Sequence, residues 1–67
     1  MTHERIEINP GIMGGKPVIR GTRIPVEMVL RKLGAGMPPD AILADHPRLT
    51  FDDLRAAQVF AAEGVPK

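Results

Sequence analysis

The sequence predicts a mainly α fold, with three short helices behind a short N-terminal β-hairpin. Three observations lead there. From Pro25 onward, Val26, Val29, Leu30 and Leu33 fall at i, i+3, i+4 and i+7, the apolar stripe of an amphipathic helix. Before Pro25, short runs of β-formers are broken by Gly and Pro, which suits brief strands and turns. Thr50 to Asp53 then spells a helix start, followed by a further apolar run. A chain of 67 residues has room for one domain. Within it, residues 1–24 read as the β segment and 25–67 as the helical module.

Taken in order, Arg5-Ile6-Glu7-Ile8 alternates polar and apolar, so a strand here puts Ile6 and Ile8 on one face. Asn9-Pro10-Gly11 is a turn signal, and Ile12 and Met13 extend the chain before the glycines. Val18-Ile19 and the pair Ile24 and Val26 flank Arg20-Gly21-Thr22-Arg23, which predicts a tight hairpin with a basic tip. Pro25 fixes φ near the helical value and lacks an N–H that a first turn does not need, so it opens the first helix. Glu27 early and Arg31 with Lys32 late both complement the helix dipole. Gly34-Ala35-Gly36 ends this helix.

Pro38-Pro39-Asp40 opens a second, short helix that Pro47 stops. For the third, Thr50 caps the N–H of Asp53 and Asp53 answers back, while Leu49 and Leu54 form a hydrophobic staple. Leu54, Ala57 and Ala61 line one face; Phe51, Val59 and Phe60 widen the apolar surface; Gly64 and Pro66 end the helix. Three helices with a tight link between the second and third describe a homeodomain-like helix-turn-helix.

Several chemistries are excluded by residue type. There is no Cys, which removes disulfides and thiolate metal sites. His3 and His46 lack a second ligand at metal spacing, so no metal or cofactor is expected. Gly15-Lys16 is followed by Pro17 where a phosphate-binding loop needs Ser or Thr. The carboxylates Asp52 and Asp53 are adjacent in one helical turn and diverge around its axis, so no catalytic pair forms and no enzyme is expected. Tyr and Trp are absent, which disfavours single-strand or RNA recognition by stacking. No apolar run reaches membrane-spanning length, and the expectation is a soluble, cytoplasmic protein. So small a core is often completed by association, so a homodimer or hetero-complex is expected.

Charge points to the remaining site. Residues 16–32 hold Lys16, Arg20, Arg23, Arg31 and Lys32 against Glu27, a local +4, whereas residues 40–53 hold four aspartates against Arg48, a local −3. A basic turn with a hydroxyl suits phosphate, which makes Lys16, Arg20, Thr22, Arg23, Arg31 and Lys32 candidate DNA-backbone contacts. On the third helix Arg55 and Gln58 are the candidates for base edges, although Asp52 and Asp53 repel phosphate there. Ile6, Ile8, Val59 and Phe60 are the candidates for contact with another chain.

The run Gly14-Gly15-Lys16-Pro17-Val18-Ile19-Arg20-Gly21-Thr22-Arg23-Ile24-Pro25-Val26 closely resembles the signature of the family called domain of unknown function 433. Ile42-Leu43, Pro47-Arg48-Leu49-Thr50 and Asp53-Leu54-Arg55-Ala56-Ala57 extend the resemblance, which runs from about Ile6 to Ala62. It implies a homeodomain-like helix-turn-helix with a short β N-terminus. It also implies an antitoxin-type role, in which a dimer binds its own operator DNA to repress its operon and docks on a PIN-like nuclease toxin to neutralise it. Pro38 stands where the family usually has a capping Ser or Thr, which predicts a weaker start to the second helix. The other reading left open is a protein-interaction module without DNA binding.

Overall fold

The computed structural model describes residues 4–64; His3 and Pro66 lie outside them. Strand β1 (Ile6–Glu7) pairs antiparallel with β2 (Val18–Ile19), Ile6 opposite Ile19 and Glu7 opposite Val18. Helices α1 (Val26–Gly34), α2 (Pro39–Asp45) and α3 (Phe51–Glu63) follow. The fold is therefore mainly helical behind a small antiparallel pair, as the sequence predicts.

The hairpin is distributed differently from the expectation. Regular pairing joins β2 to β1 across a long connection, whereas the predicted partner of β2 supplies one bridge, Val18 with Pro25. Backbone bonds from Ile19 N–H to Ile24 O (2.9 Å) and Val26 N–H to Pro17 O (2.9 Å) hold that side closed. Pro25 has no N–H to extend a ladder, which limits the pairing to this point.

The connection from β1 to β2 also departs from the extended form expected at Ile12 and Met13. Met13–Gly15 is a 3-10 turn in which Met13 (φ 52°), Gly14 (φ 67°) and Gly15 (φ 89°) are all left-handed. Gly15 N–H reaches Ile12 O at 3.0 Å, closing the turn. The two glycines favour this conformation and carry the non-glycine Met13 with them.

Each helix boundary has a local cause. Pro25 is the N-cap of α1, one residue before the first turn. At the far end Met37 N–H bonds to Lys32 O (3.1 Å) and Gly36 N–H to Leu33 O (3.0 Å), a Schellman closure that needs the left-handed Gly36 (φ 88°). Pro38, the N-cap of α2, offers no side-chain bond, so this start has no side-chain cap, as Pro38 predicts. At α3 the capping box is complete: Thr50 Oγ1 accepts from Asp53 N–H at 3.2 Å, and Asp53 Oδ2 accepts from Thr50 N–H at 3.0 Å.

One core unites both segments. Ile6 and Ile19 from the strands pack with Val26 and Val29 of α1, Ile42 of α2, and Leu49, Leu54 and Ala57 at α3. Val29, Ile42 and Ala57 are fully buried. The staple residues Leu49 and Leu54 both belong to this cluster. His46, the C-cap of α2, donates its backbone N–H to Ile42 O (3.0 Å), while its buried Nε2 has no hydrogen-bond partner.

Candidate functional site

The expected strand face does not form, because only Ile6 points inward. Ile6 is core, and Ile8, beyond the end of β1, is 61% exposed. Of the two, Ile8 is therefore accessible from outside and Ile6 is not. Val59 is exposed on α3, whereas Phe60 is half-buried and packs against the core.

The cations expected to meet phosphate are mostly held by the protein itself. Arg20 Nε donates to Glu4 O (2.6 Å) and its Nη2 to Ile6 O (3.1 Å), so this guanidinium clamps the backbone at the start of β1. Thr22 Oγ1 donates to Ile19 O (2.7 Å) and accepts from Ile24 N–H (3.0 Å), which fixes the turn and engages the hydroxyl. Lys16 Nζ bonds to Glu27 Oε1 at 2.7 Å, and Arg31 stands 3.9 Å from the other oxygen of Glu27. The Lys16 bond and charge, with Arg31 adding to them, hold the Glu27 carboxyl below its ordinary range. Lys32 is 3.9 Å from Asp45. Among the described residues, the side chains of Arg23 and Arg55 make no ion pair or hydrogen bond. Arg48 Nη1 lies 3.5 Å from Gly21 O, which brings a second guanidinium to the tip that carries Arg23.

Apolar surface is better organised than positive charge. A cleft of about 230 Å³ opens where the approach to β2 meets α1 and the end of α3. Its walls are Pro17, Val26, Leu30, Phe60 and Ala61, and the Lys16–Glu27 pair forms its rim. A second groove of about 180 Å³ lies between the end of α1, the start of α2 and the first half of α3. Leu33, Pro39, Phe51 and Leu54 line it together with Arg55 and Gln58. The two candidate base-reading side chains therefore border an apolar groove, and Phe51 beside them is 58% exposed.

The Phe60 position was legible from the sequence as excess apolar surface on the third helix. The cleft itself was not, because it needs Leu30 and Ala61 to face one another across two helices. The usable signal was the α1 stripe, whose Leu30 and Leu33 exceed what the core buries. Among the described residues no three His, Cys, Asp or Glu side chains cluster as metal ligands, and no helix is long and apolar enough to cross a membrane.

The family comparison and a solved structure agree on one family. The family model described as "Protein of unknown function (DUF433)" matches residues 6–61. The uncharacterized protein y4eO of Sinorhizobium fredii (strain NBRC 101917 / NGR234) is 38% identical over 58 residues, covering 87% of this chain and 26% of that protein. The chain thus spans about a quarter of this relative's length. The crystal structure of a DUF433 member protein from Anabaena variabilis ATCC 29413 superposes with a TM-score of 0.85 at 40% identity, over 90% of this chain and 59% of that one.

Proposed function

We propose that this chain, which belongs to the DUF433 family of proteins of unknown function, is an antitoxin-type module whose main task is to dock on a PIN-like nuclease toxin. The observation that carries this reading is the cleft walled by Val26, Leu30, Phe60 and Ala61. It is concave, apolar and framed by an ion pair, the form of a site that takes a partner's apolar side chain. The antitoxin role itself rests on the resemblance of the basic turn and the third helix to that family.

The docking reading is tested by mixing the purified chain with the proposed PIN-like toxin and measuring affinity calorimetrically. Ala61→Arg fills the cleft from a half-buried position. Affinity should fall at least tenfold while helix content is retained; unchanged affinity in the folded variant contradicts the reading.

DNA contact is the second reading, and the turn favours it. Arg23 is unpaired among the described residues and Arg48 reaches the same tip. Two guanidiniums at one exposed turn suit a pair of phosphates. In this reading the operator is held at the turn, with Lys16, Arg31 and Lys32 contributing little, because their own carboxylate partners compete with phosphate. A dimer, each copy supplying one such turn, fits a two-fold operator.

A further inference from the structure

The two clefts lie along one seam between α1 and α3. Leu30 lines one and Leu33 the other, a single turn apart on α1; Ala61 and Gln58 do the same on α3. The cleft at Leu30 is apolar with a neutralised rim, since Lys16 and Glu27 bond to each other at 2.7 Å. The groove at Leu33 differs in kind. Arg55 stands at its edge with no carboxylate partner among the described residues, and Gln58 lies one turn further along. The acids nearest in sequence, Asp52 and Asp53, are turned to Arg5, at 3.6 Å and 3.1 Å.

We propose that this seam binds an amphipathic helix of a partner protein, whose carboxylate meets Arg55 and whose apolar side chain enters the Phe60 cleft. The proposal rests on the docking reading above and gives the partner's chemistry. Charge selects the occupant: an unpaired guanidinium bordered by apolar walls and an amide favours an acidic group carried on an apolar surface. A basic partner helix meets Arg55 with like charge, and a nucleic-acid backbone leaves Leu33 and Phe51 uncovered. Spacing sets the form. Arg55 and Ala61 are separated by about 9 Å along α3, at about 1.5 Å per residue. A helix presenting Glu and Leu about two turns apart spans that distance.

The test uses two probes. The first is an Ala-based helical peptide of about 15 residues with one Leu and one Glu about two turns apart, made in both orders, beside its Glu→Gln counterparts. Amide shifts on the ¹⁵N-labelled chain should move at Leu33, Arg55, Gln58 and Ala61 with one of the Glu peptides. The affinity should fall about tenfold with the matching Gln peptide, and similarly with Arg55→Gln, a substitution at an exposed residue. Equal affinity for the Glu and Gln peptides, shifts elsewhere, or no binding by either overturns the proposal. The second probe is the PIN-like toxin itself. Binding lost in Ala61→Arg but unaltered in Arg55→Gln keeps the docking reading and overturns the carboxylate. Glu-dependent peptide binding without toxin binding keeps the acidic-helix site and removes the toxin as its partner.

Discussion

Arg5 and Asp53 meet at 3.1 Å across 48 residues of sequence, and through that bond the N-terminal strand is tied to the start of α3. The partly buried guanidinium donates to Asp53 Oδ1 while Oδ2 closes the capping box with Thr50. One buried carboxylate thus caps a helix and fastens β1 against it. Arg20 also secures the start of this strand by bonding to Glu4 O and Ile6 O. A strand of two residues is marginal alone; here two arginines and the burial of Ile6 hold it in place.

Asp53→Ala removes the carboxylate half of the capping box and leaves Arg5 without its bond, while Thr50 Oγ1 still accepts from the backbone N–H of residue 53. We expect it to lower stability by about 1–2 kcal/mol, the scale of losing hydrogen bonds to a charged, buried carboxylate. Arg5→Met should cost less than about 1 kcal/mol, because the guanidinium is half-exposed and the cap survives. Urea denaturation of the two variants checks the order.

Met13 sits at φ 52° without the freedom of glycine. Met13→Gly should therefore stabilise the chain by about 0.5–1 kcal/mol, and Gly14→Ala should destabilise it by about 1 kcal/mol. A Cβ at Gly14 meets nothing within 4 Å, so the second change reports backbone conformation alone. Denaturation midpoints moving in opposite directions would establish this.

Glu27 supplies a pH dependence with a definite sign. Its carboxyl is held below 4.5 by the Lys16 hydrogen bond and charge, with Arg31 adding to them. A depressed carboxyl contributes stability that is present above its unfolded pKa and lost as pH falls through the folded one. The Glu27 Cδ resonance should thus titrate below pH 4.5, and Lys16→Met should move its midpoint upward. A midpoint insensitive to Lys16→Met would contradict the pairing.

The basic turn makes a prediction that separates surface cations by their partners. On the DNA reading, Arg23→Ala with Arg48→Ala should weaken binding to the upstream duplex and reduce the salt slope by about two. Arg31→Met should leave both nearly unchanged, since its neighbour Glu27 screens it. Fluorescence anisotropy at two salt concentrations distinguishes the two sets.

Much of the fold was legible because its signals are local. The α1 stripe, the Gly36 closure, the Thr50–Asp53 box and the Leu49–Leu54 staple each lie within a few residues and follow from backbone geometry. What was illegible depended on distance. Arg5 and Asp53 are far apart in sequence, and so are Lys16 and Glu27 in a chain of this size. Charge counted along residues 16–32 therefore overstates the free positive surface, because ion pairs and carbonyls engage most of it. The left-handed Met13 was hidden for another reason. Nothing in its side chain asks for that conformation; Gly14 and Gly15 impose it.

The most direct test of the docking claim is calorimetric titration of the chain, and of Ala61→Arg, with the PIN-like toxin proposed as its partner. A stoichiometric complex with the parent chain, weakened at least tenfold by the folded variant, is the predicted result. Equal affinity for both, with helix content preserved, would contradict a partner seated in the Phe60 cleft.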